Sequence, residues 1–186
     1  MTTRGTPGAL ALGPGLLYIA PMGTTEPSDL TTDWGVVSAA WVLLGYTDTG
    51  SEFKYSLSTD PVEVAEELDP ISNQDTGRSA SLTFALAQIT ATNLKRAMNG
   101  GTITTGTGIV TFEPPDLGTS VRTMLGWQSE DATERWVYRQ AYQNGDTTIT
   151  RAKGAAKATI SCQFTLEKPA TGAKLFKAMM ASPLRA

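Results

Sequence analysis

Several segments of this 186-residue chain alternate apolar and small polar residues with a period of two. In the segment 52–58, Phe53, Tyr55 and Leu57 alternate with serines and charged residues. The segments 79–87 and 158–167 repeat the pattern, with Leu, Ile and Phe set against Ser, Thr and Gln. A period of two indicates β-strands that bury one face and leave the other polar. The chain is therefore expected to be mainly β.

Turn-forming residues divide the chain into further strands. Asp48–Gly50 predicts a tight reversal before the strand 52–58, and Thr59–Pro61 predicts a turn that leads into a strand over 62–67. The Asp, Asn, Pro and Gly of residues 68–78 predict a loop, and the Gly-rich stretch after Asn99 predicts another. The remaining strands are predicted at 16–20, 109–113, 121–128, 136–142 and 147–153, with one more at the end of the segment 34–44.

Two short helices are expected. Thr90 has the character of an N-cap for a helix that runs to Met98 and stops at Asn99 and the glycines after it. The segment 173–181 predicts a short C-terminal helix. The length suits one domain over residues 1–186. Gly and Pro mark residues 1–13 as a flexible N-terminal arm, and 169–186 is interpreted as a C-terminal arm.

The composition argues against the common kinds of active site. The chain has no His, and Cys162 is its only Cys, so neither a Ser-His-Asp arrangement nor a Cys-based metal cluster is possible. Cys162 is expected to be a small buried residue. The formal net charge of −3 disfavours tight nucleic-acid binding, which needs clustered Lys and Arg. We therefore predict no enzyme activity, no cofactor and no metal.

Two sets of residues leave other interpretations open. Five acidic residues between Glu63 and Asp75 could bind Ca²⁺, but they lack the spacing of an EF-hand loop, and an acidic interaction loop is preferred. The four Trp residues could stack on carbohydrate, but core or interface packing is their default role. Those residues are Trp34, Trp41, Trp127 and Trp136.

The strands predicted at 52–58, 62–67, 79–87 and 157–167 share an unusual feature, which is an apolar face opposite a face of small polar residues. In a monomer the polar faces would meet bulk water. In an assembly they could line a channel, because large β-barrels enclose water and a closed ring removes exposed sheet edges.

These residues resemble a known family. The order GYTDTGSEFKYS, PVEVAEELDP and TGRSASLTFALAQITATNLKRAM resembles the major tail protein of long-tailed bacteriophages, the tail tube subunit of siphophages. The resemblance implies a β-sandwich-like or barrel-like fold with one short flanking α-helix. It also implies hexameric rings in which each subunit adds inner strands to a common barrel, stacked into a tube that conducts DNA into the host.

The strand alternation then predicts which side chains face the lumen. Four Glu and one Lys in this set would make the wall repel phosphate over a Debye length of about 8–10 Å. The predicted lumen-facing residues are Glu52, Lys54, Ser56, Ser58, Glu63, Ala65, Glu67, Ser81, Thr83, Ala85, Thr159, Ser161, Gln163, Thr165 and Glu167.

The resemblance also implies contacts between rings through a long loop and the two arms. The loop residues are Leu68, Asp69, Pro70, Ile71, Ser72, Asn73, Gln74, Asp75, Thr76, Gly77 and Arg78. The implied partners are other copies of the chain, the tape-measure, tail terminator and tail tip proteins, and passing double-stranded DNA, with no membrane partner. The implied location is the virion tail, after synthesis in the bacterial cytoplasm.

Three alternatives stay open from the sequence. The chain could be a monomeric β-sandwich module of a virion that binds a receptor or carbohydrate through exposed Trp and Tyr. It could be the tube subunit of a contractile injection machine. A hydrolase with paired carboxylates is a third possibility, since such chemistry does not require His.

Overall fold

The computed structural model describes residues 13–151, 153, 157–170 and 172–182. Half of the chain is in β-strands and only 7% is helical. In chain order the elements are β1 (Gly15–Pro21), α1 (Trp34–Val37), β2 (Val42–Leu43), β3 (Thr47–Val62), β4 (Ser72–Leu86), α2 (Ala91–Ala97), β5 (Thr102–Gly106), β6 (Ile109–Glu113), β7 (Arg122–Ser129), β8 (Glu134–Gln143), β9 (Ile149–Thr150), β10 (Thr159–Leu166) and β11 (Phe176–Met180).

One antiparallel sheet holds nine of the described strands. Its central order is β2-β1-β7-β8-β10-β4-β3, with β11 added to β8 and β9 added to β10. β5 and β6 form a separate hairpin, which lies against α2. The expectation of a mainly β, sandwich-like fold with a short helix is confirmed.

The core consists of two apolar clusters. The larger cluster includes the buried side chains of β4 and β10. Among them are Phe84 and Phe164, whose rings stack with centroids 5.7 Å apart. The smaller one surrounds Trp34 and Trp41. Gly126 of β7 lies so close to Trp34 that a Cβ at this position would come within 2.4 Å of the indole ring. These two Trp residues therefore pack in the core, as their default role predicts.

Helix α2 follows the sequence prediction closely. The Thr90 hydroxyl accepts a hydrogen bond from the Asn93 backbone N–H at 3.2 Å, which makes Thr90 the N-cap. Asn99 has φ of 57°, and Gly100 and Gly101 also have positive φ, so the chain leaves the helix through left-handed conformations. Leu94 and Ile89 pack against the larger core cluster and hold the helix to the sheet.

The largest departures from the sequence prediction lie around β3. Asp48–Gly50 is not a reversal: these residues belong to β3, and the positive φ of Gly50 falls at a register shift between Thr47 and Ser51. Thr59–Pro61 is not a turn either, because β3 continues to Val62 beside β4. Pro61 is tolerated there because β3 is an edge strand, where a missing N–H costs no ladder bond.

Several other predicted strands, loops and helices also differ from the structure. The segment 62–67 is not a strand, since β3 ends at Val62, and residues 72–78 are not a loop, since they begin β4. The Gly-rich stretch after Asn99 contains β5, and only Ile149–Thr150 of the predicted strand 147–153 is β9. The segment 173–181 contains β11 instead of a helix, because Phe176–Met180 pairs with β8. The predicted N-terminal arm lies outside the described residues except for Gly13.

Candidate functional site

The register of β3, β4 and β10 places their small polar side chains on one face of the sheet, here called the polar face. Glu52 lies opposite Thr83, which lies opposite Gln163. Directly opposed residues of an antiparallel pair point to the same side, so each such row belongs to one face. The polar face consists of Glu52, Lys54, Ser56, Ser58, Ser79, Ser81, Thr83, Ala85, Thr159, Ser161, Gln163 and Thr165.

The other side of β4 and β10 is buried where these two strands pair, and Phe53 of β3 packs against the same core. Phe53, Leu82 and Phe164 form the row next to Glu52, Thr83 and Gln163, and all three belong to or pack against the larger core cluster. Burial alternates along β4, with Leu82, Phe84 and Leu86 inside and the residues between them at the surface. The alternation read from the sequence therefore corresponds to a division between a buried and a more exposed face on β10 and on β4 from Ala80 onward. On β3 it holds at Phe53, whereas Tyr55 and Leu57 on the same side are exposed.

The structure separates three of the predicted lumen residues from this face and leaves Glu167 at its border. Glu63, Ala65 and Glu67 lie in the loop between β3 and β4, beyond the end of β3 at Val62, and not on the strand that was predicted over 62–67. Glu167 follows β10 and accepts hydrogen bonds from Arg122 at 3.0 Å and from Gln140 at 2.8 Å. The hydrogen bond from the Arg122 guanidinium lowers the pKa of Glu167 below its usual value, and the hydrogen bond from Gln140 lowers it further.

β8 and β7 extend the polar face beyond the residues that the sequence indicated. Thr165 lies opposite Tyr142, which lies opposite Arg122, and the Arg122 guanidinium stacks 4.8 Å above the Tyr142 ring. A register shift between β7 and β8 interrupts the simple alternation here, so a period-two pattern could not find these residues. The charged residues identified on this face are two acids, Glu52 and Glu167, and two bases, Lys54 and Arg122. The face is therefore close to neutral, whereas the sequence predicted an excess of Glu.

A long hairpin of β3 and β4 projects beyond the rest of the sheet. β10 pairs with β4 from Leu86 only as far as Ser81, and in the part of the chain that the structure describes no third strand pairs with residues 72–80. At ~3.3 Å per residue, this stretch is about 30 Å long. A two-stranded ribbon is marginally stable alone in water. Such a ribbon gains stability when other chains cover it.

The end of this hairpin is acidic and apolar at once. The loop 63–71 carries Glu63, Glu66, Glu67 and Asp69. Within the same loop Leu68 is fully exposed, and 57% of Ile71 is exposed. An exposed Leu among carboxylates suits a contact that combines apolar burial with charge pairing.

β3 leaves one of its edges open. Among the described strands it pairs with β4 alone, although it runs over sixteen residues. An open edge of this length presents unpaired N–H and C=O groups that can bind another strand. The exposed edge therefore offers a second surface for association with other chains.

Little in the described residues resembles a catalytic centre. No group of three or more Asp, Glu or Cys among them is arranged to hold a metal ion. Cys162 is buried, and burial raises the pKa of its thiol to about 12, so it is a packing residue, as the sequence predicted. Trp127 and Trp136 line an open groove of about 740 Å³, which also carries Asp48 and Glu130.

A two-faced sheet with an open edge and a projecting hairpin is the geometry of a structural protein that assembles through extended surfaces. A family model described as Phage tail tube protein matches residues 8–181, and the chain belongs to this family. Among curated proteins, no match to the chain was found.

Membership of this family gives the chain a structural role in the tail tube of a bacteriophage. It places the protein in the virion tail, in assembly with itself and other tail components. Of the helices that the structure describes, none is long and apolar enough to span a bilayer.

Proposed function

We propose that this chain forms hexameric rings that stack into a non-contractile tail tube, and that DNA passes through the tube into the host. The observation that carries the proposal is the continuous polar face on β3, β4 and β10, which lies opposite the side of the sheet that packs Phe53, Leu82 and Phe164 in the core. In a monomer this polar face would only contact bulk water. In a ring it forms the wall of a water-filled channel.

The chemistry of the polar face suits a surface along which DNA slides. Its side chains are mostly Ser and Thr, which present no array of cations to hold phosphates. The balance of Glu52 and Glu167 against Lys54 and Arg122 keeps the wall close to neutral, so contact with the duplex is independent of sequence. Glu63, Ala65 and Glu67 are left out of the proposed wall because they lie in the hairpin loop.

The open edge of β3 and the hairpin supply the two kinds of contact that a stacked tube needs. The edge of β3 lies against the neighbouring subunit within a ring, where pairing removes an exposed edge. The hairpin reaches the next ring through residues 68–71, with Ser72–Arg78 as part of its stem. At the tube ends the same surfaces meet the tape-measure, terminator and tip proteins.

Electron microscopy of the purified full-length chain tests the proposal. We expect rings with six-fold symmetry and a central pore, and tubes made of stacked rings as the concentration rises. Sedimentation velocity on the same samples gives the mass of the smallest closed species, which should equal six chains. A protein that stays monomeric at all concentrations, and that binds a carbohydrate or receptor ligand instead, would contradict it.

A further inference from the structure

We propose that Leu68 of one subunit inserts into an apolar pocket beside helix α2 of a second copy of the chain, and that Lys95 and Arg96 at this pocket pair with the acidic residues around Leu68. This inference rests on the proposed function, because it names the surface that receives the hairpin in a stacked tube. The pocket, here called the helix pocket, is lined by Ile19, Thr92, Lys95, Arg96, Val121 and Phe164, among others.

The size and lining of the helix pocket suit a single aliphatic side chain. Its volume is about 220 Å³, which is below the ~300–1,000 Å³ of sites that hold drug-sized ligands. Ile19, Val121 and Phe164 give it apolar walls, and 46% of Val121 is exposed. Leu68 is a fully exposed aliphatic residue at the end of a projecting element, and burying it there removes apolar surface on both partners from water.

The charges on the two surfaces are complementary, and among the described residues neither set forms ion pairs. Neither Lys95 nor Arg96 forms an ion pair with any described residue, and Arg96 donates a hydrogen bond only to the Asn93 side-chain oxygen, at 3.0 Å. Burial lowers the pKa of Arg96, and none of the described carboxylates pairs with it to offset the loss of hydration. The loop 63–71 brings four carboxylates that are likewise without an ion pair among the described residues.

The geometry of β4 makes this a contact between copies. Phe164 of the helix pocket lies opposite Leu82, which is ten residues along β4 from Ser72 at the hairpin end. At ~3.3 Å per residue, the pocket and the base of the hairpin loop are about 33 Å apart. A subunit therefore does not fill its own pocket with Leu68. Because the two surfaces are different, the contact is head-to-tail, and between stacked rings its repetition continues along the tube.

Charge also distinguishes the helix pocket from the groove beneath Trp127 and Trp136. That groove carries Asp48 and Glu130, and Lys157 already pairs with Asp48 at 2.6 Å. A loop with four carboxylates would be repelled there, whereas Lys95 and Arg96 attract it. The helix pocket is the site that the observations favour.

Disulfide trapping tests the contact directly. Cys162 is buried, so introduced cysteines are the reactive ones. We expect the pair L68C and V121C to form intermolecular disulfides in assembled protein under mild oxidation, and to give ladders of linked chains on denaturing gels. The pair L68C and L16C probes the Trp groove, and L68C with I109C probes β6; neither should link. Linkage to Leu16→Cys instead, or assembled tubes with no linkage through Val121→Cys, would overturn the proposal.

Substitutions give an independent measure. Leu68→Ser should raise the protein concentration needed for tubes by about tenfold or more, because the burial of one Leu is lost at each contact. The control is Leu117→Ser, which changes an equally exposed Leu outside the hairpin and should leave tubes unchanged. Lys95→Glu should weaken stacking by about fivefold, and Glu67→Lys added to it should restore part of the loss.

The state of the rings separates this inference from the proposed function. In Leu68→Ser we expect six-fold rings to persist while tubes disappear. If wild-type protein forms neither rings nor tubes, the proposed function fails. If Leu68→Ser and Leu117→Ser form tubes as readily as each other, the proposed role of Leu68 is refuted while the tube remains.

Discussion

Replacing Leu82 by Ala tests the division of the sheet into a dry face and a polar face. Leu82 is 1% exposed and lies in a row between Phe53 and Phe164, in the larger core cluster. Leu→Ala at such a site removes the transfer free energy of the side chain and leaves a cavity between aromatic rings. We expect the free energy of unfolding to fall by about 3–5 kcal/mol.

The matched control is Thr83→Ala, one residue further along β4 on the polar face. Its side chain is exposed in the single subunit, so the expected change is within about 0.5 kcal/mol. Urea unfolding followed by tryptophan fluorescence, at concentrations where the protein is monomeric, measures both variants without the stabilisation that assembly adds. The reasoning is refuted if the two variants lose similar stability, since a one-residue error of register would exchange their roles.

Three further predictions concern the helix, the ion pair and the thiol. Thr90→Ala should lower the free energy of unfolding by about 1 kcal/mol through loss of the N-cap, while Thr90→Ser should retain most of it; equal losses in urea would contradict this. The pKa of Glu167 is lower in the folded protein than in the unfolded chain. Ionised Glu167 therefore stabilises the fold at pH values above the pKa of an ordinary glutamate, and this stabilisation is lost as the pH falls through the pKa of Glu167 in the folded protein. Glu167→Gln should flatten the acid limb of stability measured against pH, and an unchanged limb would argue against the Arg122 pair. Cys162 should resist a thiol reagent in native protein and react fully in urea, so rapid native labelling would contradict its burial.

The sequence was sufficient where one strand face is buried and the other exposed. β10 and the second half of β4 alternate cleanly because every second side chain enters the core, and the helix was recognisable from Thr90 and Asn99. These local signals gave the mainly β fold and most of the polar face. They need no knowledge of which strands are neighbours.

The same signals fail where both faces of a strand are exposed or where distant pairing decides the structure. Ser72–Arg78 is polar on both sides because its stretch of β4 has β3 as its one partner among the described strands, so its composition indicates a loop. Phe176–Met180 is too short for its sequence pattern to identify a strand. It forms β11 because it pairs with β8 and because Phe176 packs against Phe53 and Trp136. Arg122 joins the polar face only through a register shift.

A cryo-electron microscopy map of the assembled wild-type protein tests the central claim most directly. The account predicts a closed six-fold ring in which the row of Lys54, Ser81 and Thr165 lines the central pore, with Leu82 and Phe164 inside each subunit. A map that places this row on the outer surface of the tube, or buries it in a dry interface between subunits, would contradict the account.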